Sequence, residues 1–423
     1  MNKPDIFELQ NGLKYLTYKT NGKTCIILLL INVGSRYEKK GYNGISHLIE
    51  HMMFKGTKKR PNTLSIVKEL DAIGAEYNAF TSKNLTGYWI KAVKKYLPLL
   101  CDIISDMIFN SLLENKEIIK EKKVVIQELV ADMENPSRYV VELFENILFS
   151  GNLLSNNIGG EIKDVQNLNK KKIIRFINEY YFPKNMLLSI GGNFNKNIHT
   201  LIRKHFNIKD TRNSIIPITP FICKQNKPQL LFHHRDLKQT NLCIGYPTFG
   251  YLDKRYHTLM VMNTILGSGM SSRLFINLRE RNGLAYHVRS FIENFRDTGY
   301  ILIKAGVKKN KLCPSVNIIF KEINKIKNKR ISQKEIKKAI ESLKGSYILS
   351  SEDMADVSKS FGEDYILLNK TYIYTDLVRN LNKVTPAKIQ KLAKEIFKTS
   401  CCNIACLGNV SSQQQKNIYK YLK

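Results

Sequence analysis

Apolar positions follow two rhythms along this chain, and the change between them maps its elements. Alternating or unbroken apolar runs predict strands at residues 7–18, 25–33, 76–92 and 186–191, then at 241–245, 298–305 and 401–407. Apolar residues three and four apart predict helices from about 43–46 onward, then at 63–73, 95–110, 115–133, 136–149 and 170–181. Later helices are predicted at 256–266, 271–281, 332–349, 354–367 and 386–396. The stretch 207–228 lacks either rhythm and contains Pro217, Pro220 and Pro228, which marks a linker. It divides the chain into 1–206 and 229–423. The second part repeats the order of the first, and the strand at 401–407 mirrors the one at 186–191, which suggests duplication. The expected fold class is α+β: two similar domains, each a mostly antiparallel sheet with helices packed on one face.

Composition narrows this picture only a little. With 423 residues, 43% hydrophobic and 24% charged, the chain can bury two ordinary globular cores. The run at 25–33 is broken only by Asn32. It is about half the length a membrane-spanning helix needs, so it reads as a buried strand. The start, Met1-Asn2-Lys3-Pro4-Asp5, lacks a signal-peptide or transit-peptide pattern. An intracellular, cytoplasmic setting is therefore the expectation. The eight cysteines form no C-x-x-C pair. Cys401, Cys402 and Cys406 cluster without a histidine, so they are expected to be reduced thiols rather than a second metal site. The formal charge of +31 is lysine-rich and spread along the chain. No nucleic-acid motif accompanies it, and the joint abundance of Ile, Asn and Lys explains it as a coding bias. Nucleic acid is not expected as the partner.

The candidate chemistry sits in His47-Leu48-Ile49-Glu50-His51. Positions i and i+4 of a helix share a face one turn apart, so both imidazoles can reach one metal ion. Glu50 lies beside the second ring and can touch a water on that metal without being a ligand. This is the H-x-x-E-H order. Taken alone, such a pair is as often structural as metal-binding. Here Ile45, Leu48, Met52 and Met53 supply a separate apolar side, so the histidines are not themselves the core stripe. Asn43 or Ser46 is expected to cap the helix start.

Zinc bound by two histidines needs a third protein ligand. The glutamates of the predicted helix at 115–133 and just before it are Glu114, Glu117, Glu121 and Glu128, and the last two lie two turns apart on one face. A solvated helix face with lysine partners is the plain alternative, and Glu117–Lys120 and Glu121–Lys122 suit it. Glu128 suits it least, since no Lys or Arg follows within four residues.

With Glu128 downstream of the His-Glu-His motif, the pattern resembles the pitrilysin, or insulinase, family of zinc metallopeptidases. That family includes insulin-degrading enzyme, the mitochondrial processing peptidase and shorter bacterial and viral relatives. Further segments match in order: Gly34-Ser35-Arg36-Tyr37-Glu38, Phe54-Lys55-Gly56-Thr57, Gly74 to Ser82, Gly267 to Phe275, and Leu278-Arg279-Glu280 leading to Gly283-Leu284-Ala285-Tyr286. The resemblance implies one Zn2+ per chain, held by His47, His51 and Glu128, with Glu50 as general base. It implies that Glu121 orients a ligand, and that Asn78, Ala79, Phe80 and Thr81 lie on an edge strand that pairs with substrate backbone. It also implies that Arg279 and Tyr286 steady the substrate carbonyl.

The expected activity is therefore zinc-dependent endopeptidase cleavage of peptides or unfolded polypeptide segments. In the family, a closed chamber takes four such domains, and this chain has two. Both the metal set and the Arg279–Tyr286 pair are on one chain, so a homodimer with its active site completed in trans is expected. Two other classes stay open: a non-catalytic structural subunit of the same fold, and a basic nucleic-acid-binding protein.

Overall fold

The computed structural model describes residues 3–210, 212 and 218–422. Positions 211 and 213–217, in the middle of the expected linker, and residues 1, 2 and 423 lie outside the described residues.

Eleven strands form two sheets among the described residues. The first sheet holds β1 (Asp5–Glu8), β2 (Lys14–Lys19), β3 (Thr24–Ile31), β4 (Glu76–Thr81), β5 (Thr86–Val93) and β6 (Met186–Gly192), in the spatial order β1-β2-β6-β3-β5-β4. The second holds β7 (Gln229–His233), β8 (Gln239–Phe249), β9 (Ala285–Asn294), β10 (Thr298–Lys308) and β11 (Asn403–Leu407), in the order β7-β11-β8-β10-β9. Without β1, the two orders are the same permutation of chain order. The one parallel pair also falls at the same place, β2 with β6 and β7 with β11. Shared topology with a shared exception is strong evidence for the duplication that the repeated pattern suggests.

Two expected strands are each divided by a turn. The run 7–18 breaks at Asn11-Gly12, where Gly12 has φ 81° and the Asn11 side chain accepts from the Leu13 N–H at 3.2 Å. The run 76–92 is the hairpin β4–β5, closed by the Ser82 N–H donating to the Leu85 carbonyl at 2.7 Å. Alternation continues through a tight turn, so periodicity alone does not locate it.

Helices cover both faces of each sheet, whereas one face was expected. In the first sheet Ile27, Leu29 and Ile31 of β3 pack with the helix Ile45–Met52 and the helix Leu97–Phe109. On the reverse face Leu16, Tyr18, Leu28 and Leu30 meet Val357 and Phe361 of the helix Met354–Leu368. The Tyr18 hydroxyl donates to the Met354 carbonyl at 2.9 Å. In the second sheet Ile244, Ile301 and Ile303 pack with the helices Leu312–Asn328 and Pro386–Ile396. Its reverse face, with Cys243, Tyr300 and Leu302, meets Val140 and Phe144 of the helix Pro136–Leu148.

Those reverse-face helices come from the opposite half of the sequence. The chain accordingly falls into two discontinuous compact units. One comprises Met1–Val130, Asn156–Thr219 and Ile348–Ile373; the other comprises Ala131–Ser155, Pro220–Tyr347 and Tyr374–Lys423. A contiguous split into 1–206 and 229–423 describes the duplicated sequence but not these units. An amphipathic helix declares which side it buries, not which sheet receives it.

The sequence pattern also missed β7, β9 and the helices Ile198–Phe206, Leu312–Asn328, Tyr374–Leu381 and Ser412–Lys420. The predicted helices at 256–266 and 271–281 widen into π turns at Thr264–Ser268 and Phe275–Glu280. In the second, the Arg281 N–H reaches the Ile276 carbonyl at 2.9 Å.

Candidate metal centre

The helix Ile45–Met52 lies between β3 and β4 in the chain and anchors itself by burying Ile45, Leu48, Ile49 and Met52. The histidines lie on its other side. Neither Asn43 nor Ser46 caps it. Gly44 occupies the cap position with φ 87° and no side-chain bond. The buried Glu38 carboxylate closes the helix instead, accepting from the N–H of Gly44 at 2.7 Å and of Ser46 at 2.9 Å. Its two oxygens satisfy two of the orphan N–H donors at the helix start. Gly44 is required on two counts: its left-handed backbone, and a Cβ that would stand 2.4 Å from the Gly159 carbonyl.

His47 and His51 lie one turn apart and meet edge to face, with ring centroids 4.7 Å apart and planes at 81°. The helix Asn115–Glu134 buries Ile118, Glu121, Val125 and Leu129, and this stripe brings Glu128 to both rings. Glu128 Oε2 lies 3.6 Å from His47 Nε2 and 3.6 Å from His51 Nε2. A tetrahedral ion with bonds of about 2.0–2.2 Å spaces its ligands roughly 3.3–3.6 Å apart. One ligand atom from each of the three residues lies within 4.8 Å of the others, so the donor set fits zinc in type and spacing. About half of the Glu128 side chain is exposed, which leaves the site open to solvent.

Glu121 takes the other nitrogen of His51. Its Oε2 lies 3.1 Å from His51 Nδ1, so that nitrogen is occupied and Nε2 is left for a metal. The Glu121 partner is not Lys122, which donates to the Gln166 and Leu168 carbonyls. It is Lys55, whose Nζ stands 2.9 Å from Glu121 Oε1. Glu117 does pair with Lys120, at 2.9 Å.

Glu50 is held from the sheet. The Thr81 hydroxyl, at the end of β4, donates to Glu50 Oε2 at 2.5 Å. Burial lifts the Glu50 carboxyl above the usual range; the Thr81 hydroxyl and His51 draw it back, and Glu128 adds to the rise. Asn78, Ala79, Phe80 and Thr81 lie on β4, an edge strand paired on one side only with β5. Thr81 thus serves Glu50 as well as the strand. The Phe80 ring lies under the Lys359 ammonium, 4.5 Å from its centroid.

Arg279 and Tyr286 belong to the second unit, apart from the unit that carries the metal set. Arg279 sits on the widened turn Phe275–Glu280, with its guanidinium 5.2 Å from the Phe275 centroid. Tyr286 is 75% exposed on β9, the edge strand that corresponds to β4 in the duplicated sheet. Local sequence marks no role for Glu38 or Lys55. Both stood in matched segments, but their partners are fixed only by tertiary structure. No described helix is long and apolar enough to cross a membrane.

Known proteins carry the same architecture. Residues 15–161 match the family described as insulinase, peptidase family M16, and residues 167–343 match its companion, the peptidase M16 inactive domain. An uncharacterized zinc protease of Rickettsia bellii is 31% identical over 400 residues, spanning 94% of this chain and 95% of that protein. The uncharacterized zinc protease YmxG of Bacillus subtilis is 30% identical over 396 residues, spanning 92% of this chain and 95% of its own. The crystal structure of a protease from Helicobacter pylori superposes with a TM-score of 0.90 at 26% identity, covering 96% of this chain and 99% of that one. With a metal-type donor set on a duplicated fold and relatives of this extent, the chain belongs to the insulinase family of peptidases, family M16.

Proposed function

We propose that this protein is a zinc metalloendopeptidase that hydrolyses peptide bonds in peptides or unfolded polypeptide segments. The observation that carries the reading is the convergence of His47, His51 and Glu128 on one point, with Glu50 fixed beside them. Zinc at such a site supplies Lewis acidity and lowers the pKa of its water to about 7. The protein's own part is positional. Thr81 holds one Glu50 oxygen, so the carboxylate is set to accept a proton from the attacking water. Glu50 then returns that proton to the leaving amine, and the peptide bond breaks with water added across it. The free edge of β4 offers backbone donors and acceptors to an extended substrate, which favours unfolded chains over folded ones. Arg279 and Tyr286 would stabilise the charge that develops on the carbonyl oxygen.

A purely structural subunit has no use for a carboxylate held by a hydroxyl beside three metal-type ligands. The test is digestion of a diverse peptide mixture by wild type and by Glu50→Gln. The wild type cleaves and a chelator stops it; Glu50→Gln keeps its metal and loses activity by about 10²–10⁴-fold. Equal digestion by both proteins would falsify the assignment of Glu50.

A further inference from the structure

Lys55 has no counterpart in the chemistry described so far. It lies just past the end of the metal helix, where its N–H donates to the Met52 carbonyl at 3.1 Å. Its Nζ reaches Glu121 Oε1 at 2.9 Å, while Glu121 Oε2 faces His51 Nδ1 at 3.1 Å. One carboxylate is thus pinned at both oxygens, by an ammonium on one side and an imidazole on the other. This is not a solvent-screened surface pair, because the side chains are 23% and 8% exposed. A glutamate carboxylate rotates freely about its last torsion, with a broad two-fold preference. Held at His51 alone, the Glu121 carboxylate could turn, and its second oxygen would stay buried without a partner.

We propose that Lys55 is a positioning residue of the metal centre: by fixing Glu121 Oε1 it keeps Oε2 on His51 Nδ1, and so keeps His51 Nε2 aimed at the metal. The proposal rests on the zinc reading above. It has a charge rationale as well. Glu50, Glu121 and Glu128 put three carboxylates around a site for a dication, and Lys55 supplies the remaining positive charge at the carboxylate farthest from solvent. Simple repulsion makes the opposite prediction, because removing a cation near a metal site should tighten metal binding. The sign of the change therefore decides between the two accounts.

The experiment measures the zinc dissociation constant of the full chain by competition with a chromophoric chelator. It compares wild type, Lys55→Met, Lys55→Arg, Glu121→Gln and the double variant Lys55→Met/Glu121→Gln. Outer-shell partners of metal ligands typically contribute about 10–100-fold in affinity, and Lys55→Met should weaken zinc by that amount. Lys55→Arg should restore binding to within about threefold. The double variant should be no more than about threefold weaker than Glu121→Gln, since both changes break one linkage. Zinc binding by Lys55→Met that is unchanged or tighter overturns the proposal, as do additive losses in the double variant. If Lys55→Met fails to fold, Lys55→Gln takes its place under the same criteria. A wild type that binds no zinc removes the metal reading itself, and the proposal with it. A wild type that binds zinc while Lys55→Met matches it removes only the proposal.

Discussion

At the scale of single residues, Glu50 depends on being held still. The 2.5 Å bond from Thr81 comes from the sheet rather than from the metal helix, so it fixes the Glu50 carboxylate, the proposed base, relative to the strand edge. A hydrogen bond to a charged group contributes about 1.5–3 kcal/mol. Thr81→Val keeps the shape and removes the donor. Its kcat should fall by about 10–100-fold with zinc content unchanged, read by steady-state kinetics and metal analysis together. Undiminished kcat in Thr81→Val would mean that Glu50 is positioned by something else. The legible residues are those whose partners are near in sequence. His47, Glu50 and His51 declare themselves because one helical turn sets their geometry. Glu128 stands out by lacking a local cation. Glu121 points to a wrong partner, Lys122, because local spacing cannot show that Lys55 arrives from another element.

At the scale of elements, the metal helix is short and is closed by Glu38 rather than by its own flanking residues. Burial pushes the Glu38 carboxyl up to about 8, against the opposing pull of the Ser46 and Gly44 N–H groups and of Lys83. The folded protein thus holds this proton more tightly than the unfolded chain does. The stability it contributes is full below the ordinary carboxylate range and is lost as pH rises through about 8. Glu38→Gln cannot titrate there. Between about pH 6 and about pH 9 the melting temperature of the wild type should fall relative to that of Glu38→Gln. Parallel pH profiles for the two proteins would contradict this. Element existence is well marked in the sequence, since the strands at β3, β6, β8, β10 and β11 and the long helices show strong periodicity. Turns inside alternating runs, the short strand β7 and the widened turns after residue 263 are not, because each is set by backbone geometry that hydrophobicity does not record.

At the scale of the molecule, two copies of one sheet topology have diverged, and of the two helices that follow their second core strand only the first, Ile45–Met52, carries H-x-x-E-H. That the helices Pro136–Leu148 and Met354–Leu368 each pack on the sheet of the opposite sequence half could not be foreseen from patterning. The proposal that two copies complete the site in trans predicts complementation. Mixing Glu50→Gln with Arg279→Ala chains should restore part of the activity that each lacks alone, because one hybrid site carries both intact residues. No recovery on mixing, with dimers present, would exclude completion in trans. Beneath all of this lies one demand, that three side chains hold a metal. Zinc analysis of the purified chain measures that most directly. The account predicts one tightly held zinc per wild-type chain, and its loss in Glu128→Gln. A wild type that emerges folded without stoichiometric zinc and fails to take it up, or a Glu128→Gln protein that holds zinc as tightly, would contradict it.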